Sequence, residues 1–147
     1  MNATLLYRML TAVGAFLALA SGLLAVLVAL QGIDLGFPSD LLAAVLYYCM
    51  GVFAVWQRPE LVAAHRLLLT GVLYVGDIAM ERLLSLVAAG SGEVSWFWVG
   101  NALDQALQIA VLCALLALFA VFPDGVYQRR YERWIVGASW LLVPMLP

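Results

Sequence analysis

Four apolar runs, each long enough to cross a lipid bilayer, dominate this sequence of 147 residues. They cover residues 9–30, 41–57, 67–89 and 96–122. A helix needs about 20 predominantly apolar residues to cross about 30 Å of hydrocarbon, and about 17 is the lower limit. A fifth run, residues 134–147, is shorter, and we interpret it as a truncated helix or one that lies shallowly in the membrane. The pattern predicts an all-α polytopic membrane protein with four transmembrane helices and this fifth segment.

The composition excludes most other classes of protein. Hydrophobic residues make up 66% of the chain and charged residues 11%, whereas soluble domains are about half apolar and about a quarter charged. Such a chain has too little polar surface for a soluble enzyme or a disordered regulator. The net charge of −2 comes without a basic stripe, so we expect no nucleic-acid partner. Neither an internal repeat nor a linker divides the chain, which indicates a single domain over residues 1–147.

The distribution of arginine predicts the orientation in the membrane. All seven basic residues are arginines, and the first and third loops between the spans contain none. Six arginines fall before the first span, in the second loop or in the fourth loop: Arg8, Arg58, Arg66, Arg129, Arg130 and Arg133. Because positively charged loops stay in the cytoplasm, the N-terminus is predicted to be cytoplasmic.

Polar residues inside the third and fourth spans are the candidate functional groups. In the third span, five polar residues recur at spacings of 4, 3, 4 and 4, which places them on one helix face: Thr70, Tyr74, Asp77, Glu81 and Ser85. The fourth span carries a second polar face: Asn101, Asp104, Gln105 and Gln108. A charged residue at the bilayer centre costs at least about 2.5–3.5 kcal/mol, so these groups are expected to face protein or water.

Two predictions follow, the first from the depth of these residues and the second from the presence of two acids on one stripe. Counted from the turn near Gly92, Arg82 lies as deep as Asp104, and Asp77 lies as deep as Gln108. We therefore expect an ion pair between Arg82 and Asp104. We also expect a cavity whose lining holds five polar side chains: Tyr74, Asp77, Glu81, Asn101 and Gln108. The alternatives are polar groups that only join helices together and a pathway for protons or ions.

The remaining reactive side chains do not form a catalytic site. Cys49 and Cys113 lie in apolar runs and are expected to be small buried side chains. The single histidine, His65, is expected to be a solvated loop residue, although it has the side chain that titrates nearest neutral pH. Motifs for a nucleophile, a phosphate loop or a metal site do not occur. We expect no enzymatic activity, no metal and no cofactor.

One segment near the C-terminus resembles a known motif. Residues 118–135 read LFAVFPDGVYQRRYERWI, similar to the L-F-P-D-G-R-x-x-x-R-x-x-R-W stretch in membrane regions of certain bacterial sensor histidine kinases and related uncharacterised membrane proteins. The matching positions are Phe122, Pro123, Asp124, Gly125, Arg130, Arg133 and Trp134. Val126 departs from the motif, where the family usually has Arg. Residues 58–68 resemble the loop before the third helix of that family.

The resemblance implies a sensing or signal-transducing membrane domain in the cytoplasmic membrane of a bacterium. These residues include neither a phosphoacceptor helix nor an ATP-binding segment, so the catalytic module of the kinases is missing from them. The alternative is a small accessory or assembly subunit of a larger membrane complex. A transporter-like fragment and a membrane enzyme are further alternatives. Expected partners are the lipid bilayer and other membrane helices, in a homo-oligomer or a larger complex.

Overall fold

The computed structural model describes residues 3–32, 39–90, 97–121, 127 and 129–145, with only the backbone at residues 3–5 and 90. Every regular element in these ranges is helical, which confirms the all-α prediction. The α-helices are α1 (Ala3–Leu30), α2 (Ser39–Gln57), α3 (Val62–Gly90), α4 (Phe97–Phe119) and α5 (Arg130–Ser139). A turn of 3-10 helix, Trp140–Leu142, follows α5.

Three of these helices are long and apolar enough to cross a membrane. They are Leu6–Leu30 of α1, Ser39–Gln57 of α2 and Phe97–Phe119 of α4, which match the first, second and fourth predicted spans. Helix α3 is the longest at 29 residues. It contains four charged residues, Arg66, Asp77, Glu81 and Arg82, which makes α3 the least apolar of the four long helices.

Helix α3 lies at the centre of the bundle. It packs against α1, α2 and α4, whereas no pair of Cα atoms within 8 Å joins α1 or α2 to α4 in the described residues. The three helices of membrane length therefore pack around α3, the least apolar of the four long helices. This position buries Arg82 and half-buries Asp77, whereas Glu81 stays exposed.

Helices α2 and α3 approach each other most closely, at two glycines. A Cβ atom on Gly51 would lie 2.5 Å from the Cα atom of Leu68, and one on Gly71 would lie 2.5 Å from the Cα atom of Tyr48. Small residues let membrane helices come into backbone contact, where van der Waals packing holds them together. The core of buried side chains surrounds this crossing: Ala44, Tyr48, Leu68, Val72, Val75 and Ile78.

Polar contacts join α1 to its neighbours. The Ser21 hydroxyl donates to the carbonyl oxygen of Val75 at 3.2 Å, and the Tyr48 hydroxyl donates to the carbonyl oxygen of Thr11 at 2.6 Å. The rings of Tyr7 and His65 stack with centroids 3.7 Å apart. These contacts place the N-terminal ends of α1 and α3 at the same end of the bundle.

The fifth helix differs from the predicted fifth segment in its bounds. It begins at Arg130 rather than Trp134, because the Glu132 carboxylate accepts the backbone N–H of Arg129 at 3.1 Å and so stabilises the first turn. With ten residues it is about 15 Å long, about half of the hydrocarbon thickness. The Cys113 thiol donates to the carbonyl oxygen of Ser139 at 3.1 Å, so the end of α5 lies against α4.

Candidate functional site

The five predicted cavity residues do not share one environment. Tyr74 and Asp77 are half-buried, and one oxygen of Asp77, Oδ1, is buried without a hydrogen-bond partner. Glu81, Asn101 and Gln108 are exposed. The three exposed side chains therefore do not line an enclosed cavity within this chain, and Asp77 is the group that the bundle shields.

Asp77 and Asp104 lie across the contact between α3 and α4. Leu84 and Arg66 mark the face of α3 that meets α4, since Leu84 contacts Gly100 and Arg66 reaches the carbonyl oxygen of Ala117. Asp77 lies within about 20° of that face. Asp104 lies one turn after Gly100, and its charge acts on Asp77. The two carboxylates therefore lie on the facing sides of α3 and α4.

Arg82 and Asp104 are both buried, with 9% and 7% of their surface exposed. They do not form the predicted ion pair. Among the described residues, the one ion pair with nitrogen and oxygen within 4.0 Å is Arg58–Glu60. The reason is rotational: Arg82 lies about 200° around α3 from Leu84 and therefore faces away from α4. It shares its face with Val75, which contacts α1. Arg82 Nε and Asp104 Oδ1 are buried without a hydrogen-bond partner.

Gln108 forms its hydrogen bond within α4. Its amide donates to Oδ2 of Asp104 at 3.2 Å, which leaves Oδ1 of Asp104 without a partner. Asn101, Gln105 and Gln108 point outward on one face about 60° wide, and all three are exposed. Gln108 lies about 16 Å along α4 from Phe97, close to the middle of the helix. An exposed amide face therefore runs along half of a membrane-length helix.

Arg66 is the main polar connection at the arginine-rich end of the bundle. It donates to the carbonyl oxygen of Ala117 near the end of α4, and to the Tyr127 hydroxyl at 2.7 Å. Its guanidinium carbon lies 4.8 Å from the centre of the Tyr127 ring. Arg66 thus ties α3 to α4 and to Tyr127, three residues before α5. In the sequence, Arg66 contributed only to the arginine count that predicts the orientation in the membrane. Nothing in the pattern predicts the two hydrogen-bond acceptors of its side chain.

Two side chains differ from their predicted environments. His65 is half-buried rather than solvated, because it stacks on Tyr7, and its Nε2 atom is buried without a hydrogen-bond partner. Cys49 is exposed on α2, whereas Cys113 is buried as predicted. Within the described part of the chain, helix α2 contacts only α1 and α3, so part of its circumference stays uncovered there.

The family motif is only partly within the described residues. Phe122, Pro123, Asp124 and Gly125 lie outside them. Arg130, Arg133 and Trp134 lie at the start of α5, where they line a cavity of about 640 Å³ together with Tyr127 and Arg129. The structure therefore brings the second half of the motif into one place.

No family model, curated protein or solved structure matches this chain.

Proposed function

We propose that this chain is a membrane-embedded sensor domain in the cytoplasmic membrane of a bacterium. In this proposal α3 is a fourth transmembrane helix, and the N-terminus is cytoplasmic. The position of α3 supports the first point, because it packs alongside all three helices of membrane length. Its 29 residues extend about 43 Å, which exceeds the hydrocarbon thickness.

The grouping of arginines supports the orientation. Arg8 follows Tyr7, which stacks on His65, and Arg66 contacts Tyr127 just before Arg129. The six arginines outside the spans therefore belong to one end of the bundle, the end that the positive-inside rule assigns to the cytoplasm.

Cysteine labelling tests this orientation in whole cells. We expect Ser91→Cys to react with a membrane-impermeant maleimide from outside, and Gln128→Cys to react only after permeabilisation. Both variants need Cys49→Ala and Cys113→Ala in the background, so that the introduced thiol alone is measured. Reaction of Gln128→Cys in intact cells would contradict the orientation.

The observation that carries the sensing proposal is the pair of carboxylates Asp77 and Asp104. Each has an Oδ1 atom buried without a hydrogen-bond partner, although polar groups that merely join helices are expected to bond to each other. Ionisable groups inside a membrane bundle are costly and are functional sites by default. Two carboxylates with free acceptor capacity are suited to a cationic ligand. We therefore propose that a small cation, inorganic or organic, is the signal.

Thermal unfolding of the purified chain in detergent tests this site. The probes are the chlorides of sodium, potassium, magnesium and calcium, together with small organic amines. At least one is expected to raise the unfolding temperature. A cation present at about 100 times its Kd stabilises the folded state by about 2.7 kcal/mol. Asp77→Asn and Asp104→Asn are expected to remove this effect.

Glu81→Gln is the matched control, because it removes the same charge from an exposed position one turn after Asp77 on α3. It is expected to keep the response to the cation. A panel in which no cation stabilises the wild-type chain, or in which all three variants respond like the wild type, would contradict the sensing proposal.

The exposed amide face of α4 favours a second candidate, an accessory subunit in a larger membrane complex. Asn101, Gln105 and Gln108 are exposed in this single chain, yet polar side chains at such depth are expected to contact protein. A partner helix over this face would supply that contact. Purification in a mild detergent with one stoichiometric partner membrane protein, lost in Gln105→Leu/Gln108→Leu, would favour this candidate over the sensor.

A further inference from the structure

A basic cavity lies where α5 begins. Its lining consists of Tyr127, Arg129, Arg130, Arg133 and Trp134, and its volume is about 640 Å³. Arg129 precedes the first residue of α5, and Arg130 and Arg133 are one turn apart on it. The three guanidinium groups therefore gather around the N-terminal end of a helix, where the backbone dipoles also favour a negative charge.

No carboxylate of the described residues neutralises these arginines. None lies within 4.0 Å of their guanidinium nitrogens, and the acidic residue of α5, Glu132, accepts the backbone N–H of Arg129 instead. Three like charges around one cavity repel each other unless an anion lies between them. The cavity thus has the charge of an anion site.

Aromatic rings hold two of the guanidinium groups in position. The guanidinium carbon of Arg133 lies 5.6 Å from the centre of the Tyr127 ring, and that of Arg129 lies 5.7 Å from the centre of the Tyr131 ring. Arg129 also donates to the Tyr131 hydroxyl at 2.9 Å. These contacts place two of the three guanidinium groups against rings rather than carboxylates, so their charge stays available to an anion.

The surroundings of the cavity match the headgroup region of a bilayer. Trp134, at 78% exposure, and Tyr131, at 51%, lie beside the arginines. Tryptophan and tyrosine are enriched at the interface between membrane and water, because the rings are apolar and one end is polar. Arg66 ties this region to the end of α4, a helix of membrane length. An occupant of the cavity would therefore lie at headgroup level.

We propose that Arg129, Arg130 and Arg133 bind the phosphate of an anionic phospholipid headgroup in this cavity, with Trp134 beside its acyl region. The guanidinium fork matches the oxygens of a phosphate, and basic pockets at the cytoplasmic side of helix bundles bind such headgroups. Free inorganic phosphate has the same recognition chemistry and is the other possible source of the ligand.

Native mass spectrometry of the full chain in detergent tests the site. Phosphatidylglycerol is titrated and compared with phosphatidylcholine of the same acyl chains. We expect phosphatidylglycerol to bind more tightly, and Arg130→Gln/Arg133→Gln to weaken its binding by about 30-fold. Inorganic phosphate is added as a competitor. Displacement of the lipid by millimolar phosphate would assign the site to free phosphate, which would overturn the lipid assignment.

Arg8→Gln/Arg58→Gln is the matched control, because it removes two exposed arginines that line two separate grooves. We expect it to weaken lipid binding by no more than about 3-fold. Arg130→Lys/Arg133→Lys keeps the charge and removes the forks, so it remains informative if the glutamine variant fails to fold, and we expect an intermediate loss. The proposal would be overturned if Arg8→Gln/Arg58→Gln weakened lipid binding as much as Arg130→Gln/Arg133→Gln does. Wild-type lipid binding in Arg130→Lys/Arg133→Lys would also overturn it.

Discussion

Replacing Gly51 and Gly71 together by alanine is expected to lower the free energy of unfolding by about 3 kcal/mol. Each added Cβ atom would lie 2.5 Å from a backbone Cα atom of the facing helix, that of Leu68 or that of Tyr48. A backbone atom cannot rotate away as a side chain can, so α2 and α3 must move apart. The two changes act on the same crossing, and their effects are therefore expected to add incompletely.

Separation of α2 and α3 would also disturb the rest of the core. Tyr48 is part of the buried cluster, and its hydroxyl donates to the carbonyl oxygen of Thr11 on α1. Displacing α2 would lengthen this hydrogen bond and loosen the contacts of Val72 and Val75. The loss of packing at the two glycines therefore affects α1, α2 and α3.

Equilibrium unfolding in mixed micelles, followed by circular dichroism, measures this effect. Gly22→Ala and Gly137→Ala are the matched controls, because a Cβ atom at either position meets nothing within 4 Å. Alanine favours a helix interior by about 1 kcal/mol over glycine, so the controls are expected to be neutral or stabilising. Equal destabilisation by all four substitutions would show that close approach of α2 and α3 is not the reason.

Replacing Arg66 by alanine is expected to lower the free energy of unfolding by about 3 kcal/mol. The change removes two charge-assisted hydrogen bonds, to the carbonyl oxygen of Ala117 and to the Tyr127 hydroxyl, and the contact with the Tyr127 ring. Because Arg66 joins α3 to α4 and to Tyr127, we also expect faster proteolysis near residue 127. The same unfolding assay and limited proteolysis measure the two effects.

Three variants separate the parts of this effect. Arg66→Lys keeps the charge but lacks the planar fork that reaches two acceptors, so it is expected to recover less than half of the loss. Tyr127→Phe removes only the hydroxyl and is expected to cost about 1 kcal/mol. Arg58→Ala removes an exposed arginine whose ion pair with Glu60 is 3.9 Å long, and is expected to cost less than about 0.5 kcal/mol. A loss in Arg58→Ala equal to that in Arg66→Ala would contradict the role of these contacts.

The helices themselves could be predicted from the sequence because apolar run length is a local property. Residues 9–30, 41–57 and 96–122 correspond to three helices of membrane length, α1, α2 and α4. The start of α5 was less predictable. It depends on a hydrogen bond between Glu132 and the backbone of Arg129, upstream of the apolar run that indicated the segment.

The polar residues show where prediction from the sequence ends. Helical periodicity placed Asp77 and Glu81 on one stripe, and depth from the turn matched Arg82 to Asp104. Depth alone does not determine which neighbour a residue faces. Arg82 has the depth of Asp104 but points away from α4, and Glu81 is exposed although it shares the stripe of Asp77.

The sequence by itself determined that this chain is helical and which segments are apolar. These properties depend on residue type and on spacing along one helix, both of which are local. Only the tertiary structure decided that α3 lies at the centre, that His65 stacks on Tyr7 and that Arg66 reaches Ala117 and Tyr127. Each of these depends on the rotation of one helix relative to another. Packing sets that rotation at contacts such as Gly51 on Leu68, between residues that are far apart in the sequence.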